Sequence, residues 1–197
     1  MLAKPPQYLV IDRLETPIGG ALLAVDEDGY LRALDWEDYG ERQTRLLARF
    51  AAGAPSWPGT APAAIRQAID AYFDGEFKAL EAIPWRTGGT DFQLKCWEAL
   101  RAIPAGSTSS YGAQAINIGR PAAMRAVGLA NGCNPVGVVV PCHRVIGANG
   151  SITGYGGGLW RKRWLLRHES ATFRDDVDAL EVRGGAGSRQ AQLRAQA

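Results

Sequence analysis

Only three cysteines and two histidines occur in the 197 residues of this chain. The cysteines, Cys96, Cys133 and Cys142, are odd in number and none forms a close-spaced pair. Neither a disulfide framework nor a zinc ribbon is therefore indicated. Long apolar runs are also lacking, and nothing approaches the roughly 20 residues a membrane-crossing helix needs. The opening Met-Leu-Ala-Lys-Pro-Pro has no apolar core of the secretory kind. These scarcities predict a reducing, cytoplasmic location and no membrane partner. Net charge is scarce too: +2 says nothing about nucleic acid by itself.

Apolar residues make up 46% of the chain, ample for a core, and the length suits one large domain or two small ones. Charge is unevenly spread. Residues 1–90 carry 9 Lys/Arg against 13 Asp/Glu, residues 91–170 carry 9 against 3, and residues 171–197 carry 4 of each. The basic middle is where phosphates would be met, and the acidic first part is not.

Apolar runs in 8–39, broken by turn signals at Pro17-Ile-Gly-Gly20 and Asp28-Gly29, predict a small antiparallel meander. Helical patterns follow at about 41–52 and 62–74, with the Ala- and Pro-rich stretch 53–63 as a loop. Residues 77–90 are expected to form a strand and then a linker, and the acidic residues at 35–41 a solvated face. No catalytic constellation is evident in this half.

Thr90 and Gln93 make a capping box that opens a helix with Phe92, Cys96, Ala99, Leu100 and Ile103 on one face, which places Cys96 in a core. A helix from about Ser110 to Ile118 is closed by Gly119, and another starts at Pro121 and ends at Gly132. Two short helices joined by a tight Gly-Arg-Pro turn describe a helix-turn-helix. Further on, Ala148–Ser151 predicts a turn, Gly154–Gly158 a loop around Tyr155, and Leu159–Glu169 a basic amphipathic helix. The Gly, Ala, Arg and Gln composition of 172–197 predicts a largely disordered tail.

Between these helices lies Val-Val-Val-Pro-Cys-His-Arg-Val-Ile-Gly, residues 138–147. An apolar run ending at a proline predicts a strand that stops at Pro141 and presents Cys142 on the turn beyond it. A lone cysteine is most often a small buried hydrophobe, but here the string Pro-Cys-His-Arg-Val-Ile-Gly resembles the active-site signature of the O6-alkylguanine-DNA alkyltransferase family. The resemblance spans about Gly89 to Ser170. It includes Thr-Asp-Phe-Gln at 90–93, Ile-Pro-Ala-Gly at 103–106, Ser-Tyr-Gly at 110–112 and Gly-Arg-Pro at 119–121. Arg-Ala-Val-Gly at 125–128, Asn-Pro at 134–135, Thr-Gly-Tyr-Gly-Gly-Gly-Leu at 153–159 and Arg-Lys-Arg-Trp-Leu-Leu at 161–166 complete it. The first 88 residues resemble the family only loosely.

The implied chemistry is attack of a thiolate on an alkyl carbon. An ordinary cysteine is mostly protonated at neutral pH and needs a base. Because neighbours in an extended chain point to opposite sides, His143 is expected to take the Cys142 proton through a water. The resemblance makes Glu169 the carboxylate that orients His143, and His168 a surface residue. It assigns Tyr111 as proton donor to the departing guanine and the carbonyls of Cys142 and Val145 as acceptors for its exocyclic amine. Tyr155 and Gly156 would line the pocket, and Asn134 would brace the active-site turn. Arg125 matches the arginine that fills the space left by a flipped base, while Ala123, Ala126 and Gly128 would let its helix approach the minor groove closely.

Three positions depart from the family pattern. Gln114 stands where an apolar residue is expected and would loosen packing, Met124 replaces something small, and Gly156 replaces a serine found in some members. The zinc ligands of some relatives' first halves are absent as well.

The reading is an α/β protein with a ribonuclease-H-like α/β domain over 1–88. A mostly helical DNA-binding alkyltransferase domain with the helix-turn-helix follows over 89–171, and the tail over 172–197. It would act as a monomer on double-stranded DNA containing O6-alkylguanine, and on O4-alkylthymine, without a cofactor, one alkyl group per molecule. Two rivals are a lesion-binding relative without chemistry, which would lack the cysteine, and a transcription regulator, which would carry a second DNA-reading domain.

Overall fold

A computed structural model describes residues 4–175. The meander forms as β1 (Leu9–Leu14), β2 (Ala21–Asp26) and β3 (Leu31–Trp36), antiparallel neighbours joined by tight turns. At the second turn the Asp26 carboxylate accepts from the backbone N–H of Asp28 and Tyr30, and Gly29 takes φ +81°. The helices α1 (Gly40–Phe50) and α2 (Ala63–Phe73) fall where the periodicity puts them. The intervening 53–63 is not all loop. Ser56–Pro58 forms β4, which pairs in parallel with β1, and the sheet order is β3-β2-β1-β4.

The expected strand in 77–90 is instead a 3₁₀ helix, Phe77–Ala82. Leu80 and Ile83 are buried and Phe77 packs against the core, a spacing of three that suits this tighter helix. Beyond it, residues 84–86 lie along the open edge of β3: Leu31 N–H donates to Pro84 O and Arg86 N–H to Leu31 O. Further along the same edge, Leu34 N–H donates to Pro135 O at 2.9 Å and Gly137 N–H to Leu34 O at 3.0 Å. The first half's sheet thus grips the segment that leads to Cys142.

In the second half α3 (Asp91–Arg101) opens with the full capping box, Thr90 Oγ1 accepting from Gln93 N–H and Gln93 Oε1 from Thr90 N–H. Next come α4 (Tyr111–Asn117) and α5 (Met124–Gly132), the latter preceded by one 3₁₀ turn at Pro121–Ala123. The turn between them closes because Gly119 adopts φ +71° and Arg120 N–H reaches Ala115 O. Ser109–Ser110 (β5) pairs in parallel with Val145–Ile146 (β6), and α6 (Leu159–His168) packs over them.

Residues 138–140 do not form the expected strand. They make a turn in which Val138 is left-handed at φ +65°, and Cys142–Arg144 form a short 3₁₀ helix. The Asn134 side chain is the cause: it takes the Val140 carbonyl and the Val136 N–H, groups a ladder would need.

One continuous apolar cluster joins the halves, with Leu23, Leu34, Trp36, Phe50 and Tyr72 meeting Trp97, Leu100, Val127, Val139 and Leu165. Phe173 packs on a smaller cluster of Ile146, Ile152 and Leu166, and Arg174 pairs with Ser151. The rest of the expected tail, from 176, lies outside the described residues.

Candidate active site

The turn that carries Cys142 is built by Asn134. Its Nδ2 donates to Val140 O at 2.7 Å and lies 3.2 Å from Cys142 Sγ, so the same amide shapes the turn and touches the sulfur. Burial pushes the Cys142 thiol above its ordinary value, opposed by the Asn134 contact and by the charges of Arg42 and Lys162. The thiol therefore needs a base at neutral pH.

His143 is fully buried, with Nε2 3.0 Å from Glu169 Oε1. Burial pulls the imidazole down, opposed by the Glu169 charge. Burial alone would raise the Glu169 carboxyl, but His143 and Arg144 outweigh it and hold it well below the usual carboxylate range. A carboxylate facing Nε2 requires the proton on that nitrogen. Nδ1 is then the basic nitrogen, and it is buried without a protein hydrogen-bond partner.

Glu169 is held by more than the sequence suggested. Arg144 grips it with both Nε and Nη2 at 2.8 Å, and Tyr72 Oη donates to Oε1 at 2.8 Å from the first half. Asn134 thus touches the Cys142 sulfur, and His143 pairs with Glu169. His168 is not a free surface residue. Its ring stacks on Trp164 and contacts Tyr72, Phe73 and Phe77, with Nε2 2.8 Å from Tyr72 O. Apolar partners on α2 make its contact surface a packing one.

A cavity of about 180 Å³ opens beside the thiol, lined by Tyr111, Gly128, Asn131, Gly132, Cys142, Gly154, Tyr155 and Gly156. The β5–β6 pairing sets Tyr111 at its wall, because Ser110 both pairs with Ile146 and caps α4 through Ala113 N–H. The Tyr111 hydroxyl is 3.4 Å from Thr153 O, and burial raises it above its ordinary value, so it carries its proton at neutral pH. Burial raises Tyr155 further. Gly128 faces this cavity, with room for a Cβ only 3.7 Å from the Tyr111 ring, rather than turning wholly outward. Val145 is buried and is not among the cavity's lining residues. Its carbonyl already accepts from Lys162 Nζ at 2.6 Å.

Lys162 went unnoticed in the sequence because a basic helix suggested a solvated face. It is fully buried, its ammonium shared among the carbonyls of Val145, Thr153 and Gly154, and burial lowers it to about 8. Arg161 is buried too, stacked at 4.7 Å over Trp36 and paired with Asp38. With Arg144 also inside, several of the basic residues counted in 91–170 are internal struts. Arg120 and Arg125 remain exposed on the α4–α5 unit, beside exposed Ala126 and half-buried Ala123.

Two further expectations change. Gln114 does not loosen the core: its buried amide donates to Cys96 O at 3.0 Å and exchanges hydrogen bonds with Asn131. The acidic stretch 35–41 is not one solvated face, since Asp35 is buried and ion-paired to Arg42 beside the thiol. Spacing alone could not reveal either, because each polar residue finds its partner on a different element.

These features define a mixed α/β protein with a cysteine at a cavity wall, followed in the chain by a buried histidine that pairs with a glutamate. The family model for the 6-O-methylguanine DNA methyltransferase DNA-binding domain matches residues 91–171. A methylated-DNA--protein-cysteine methyltransferase of Shigella flexneri is 46% identical over 163 residues, 82% of this chain and 95% of that protein. One from Mycobacterium tuberculosis is 54% identical over 124 residues, 63% and 74% of the respective chains. The crystal structure of the M. tuberculosis O6-methylguanine methyltransferase superposes with TM-score 0.65 at 38% identity, covering 88% of this chain and 99% of that one. The same organism's OGT in complex with DNA gives TM-score 0.67 at 38% identity, covering 87% and 99%. The chain belongs to the methylated-DNA--protein-cysteine methyltransferase family.

Proposed function

We propose that the protein repairs DNA by moving the alkyl group of O6-alkylguanine, and of O4-alkylthymine, onto Cys142. The observation that carries this is the Cys142 thiol at the cavity wall, followed in the chain by His143, which is buried and paired with Glu169. His143 Nδ1 takes the thiol proton through a water. The sulfur attacks the alkyl carbon, the carbon–O6 bond breaks, and Tyr111 gives its proton to the departing guanine, to be restored from solvent. The thioether is stable, so the protein reacts once. No cofactor enters this balance.

The base reaches the cavity by flipping out of the duplex. In this reading α4 and α5 serve as the helix-turn-helix, Arg125 fills the vacated space, and Ala123 and Ala126 allow close approach to the minor groove. The carbonyls of Cys142 and Val145 receive the exocyclic amine, with Val145 sharing its oxygen with Lys162, while Tyr155 and Gly156 hold the base. Residues 1–88 act as a ribonuclease-H-like domain, a reading supported by β4 running parallel to β1 at the far side of the meander. Residues 89–171 form the DNA-binding domain. The protein works as a monomer in the cytoplasm.

Incubation with a duplex carrying one labelled O6-methylguanine tests the proposal. Expected is a plateau at one alkyl group per protein, with the added mass on the Cys142 peptide. Turnover beyond one, or label on Cys96 or Cys133, would overturn it.

A further inference from the structure

Next to the cavity, and sharing Cys142, Tyr155 and Gly156 with it, a smaller crevice is lined by Asp35, Arg42 and Asn134 among others. Arg42 comes from the first turn of α1, in the half without catalytic motifs. One of its guanidinium nitrogens pairs with buried Asp35 of β3. The other donates to Gly132 O at 3.0 Å and Asn134 O at 3.1 Å. Those two carbonyls end α5 and begin the turn whose Asn134 side chain touches the sulfur.

The guanidinium also carries the far wall of the pocket. A Cβ on Gly156 would lie 2.5 Å from Arg42 Cζ, and one on Gly157 would lie 2.3 Å from Trp36 Nε1. An arginine tip usually swings aside for a new methyl group. This one is pinned by a carboxylate on one nitrogen and two carbonyls on the other, and charge-assisted bonds of that kind resist displacement. Gly156 is therefore glycine because Arg42 occupies the space.

We propose that Arg42 is a positioning residue for Cys142, tying the first half's sheet to the nucleophile turn and forming the surface on which the Gly156 wall rests. The proposal deepens the alkyl-transfer reading and uses Cys142 as its reporter. The titratable groups around that sulfur are Asp35, Arg42, Tyr111, His143, Tyr155 and Lys162, and Arg42 and Lys162 are the cations that favour the thiolate.

The test uses the full chain with Arg42→Met, Arg42→Lys and Gly156→Ser, singly and combined. Iodoacetamide labelling of Cys142 is followed by mass across pH, alongside single-turnover reaction with free O6-benzylguanine and an unfolding midpoint. Arg42→Met is expected to slow both reactions about tenfold at neutral pH and move the labelling midpoint to higher pH, with Arg42→Lys restoring the midpoint. Gly156→Ser is expected to slow benzyl transfer strongly in wild type and much less in Arg42→Lys, whose slimmer tip leaves room. Rates within twofold of wild type and an unmoved midpoint in Arg42→Met, or equal Gly156→Ser losses in both backgrounds, would overturn the proposal. The second arm decides if Arg42→Met does not fold. Wild type that takes iodoacetamide at Cys142 but no benzyl group would sink the alkyl-transfer reading, leaving Arg42 to be judged by the iodoacetamide arm.

Discussion

Tyr72, near the end of α2, donates its hydroxyl to Glu169 at 2.8 Å across 97 residues of sequence. Both groups are buried, so the first half of the chain supplies part of the setting that fixes the His143–Glu169 pair. A hydrogen bond to a charged acceptor contributes about 1.5–3 kcal/mol. Tyr72→Phe should lower stability by that order, seen as a smaller urea midpoint at unchanged slope. Arg144 still holds both Glu169 oxygens, so alkyl transfer should slow by less than about tenfold. A loss of two orders of magnitude would show that Arg144 alone cannot keep the carboxylate in place.

Tyr111→Phe separates proton donation from packing. The ring lines the cavity while the hydroxyl makes only a long 3.4 Å contact to Thr153 O, so its removal should leave the fold and DNA affinity nearly intact. General acid help is worth about 10²–10⁴-fold, and single-turnover transfer should slow by about two orders of magnitude. A rate within about threefold of wild type would take Tyr111 off the catalytic list.

Arg125→Ala should impair repair in duplex DNA more than reaction with free O6-benzylguanine, where no base is flipped. Arg125 is exposed on α5 and flanked by Met124 and Leu129, which are 52% and 74% exposed, so no core contact is lost with it. Equal losses on the two substrates would assign it to folding. Because Arg144, Arg161 and Lys162 are internal, the salt dependence of duplex binding should be shallower than the basic count of 91–170 implies.

Acid should weaken the fold before the carboxylates titrate. Burial holds the His143 imidazole below its ordinary value near 6.5, so the unfolded chain takes up that proton first. The stability this provides is complete above about pH 6.5 and is lost as pH falls from there through the lower folded value. On the alkaline side Cys142, raised by burial, and Lys162, lowered to about 8 by burial, act in opposite senses. Urea midpoints from pH 8 down to 5 should fall below 6.5 in wild type and stay flatter in His143→Gln. An acid limb that begins only below about pH 4.5 in both would contradict this.

Local chemistry was legible in the residues themselves. The three strands, the Thr90–Gln93 box, the Gly119 stop and the Cys142–His143 pair all depend on neighbours a few positions away, and periodicity or cap chemistry reports those directly. Resemblance supplied Glu169, Asn134 and Tyr111, and the structure sets them around the thiol's turn and pocket.

What the residues did not disclose depended on which distant groups meet. Val138–Val140 has the composition of a strand, yet the Asn134 amide took the backbone groups a ladder needs. Residues 77–82 coiled because Phe77, Leu80 and Ile83 turn inward together. Asp35, Arg144, Arg161 and Lys162 all look like solvated charges in a string of letters. Each is inside only because a guanidinium, carboxylate, carbonyl or ring from another element waits there. Burial of a charge is decided by its partner, and the partner is a property of the tertiary fold.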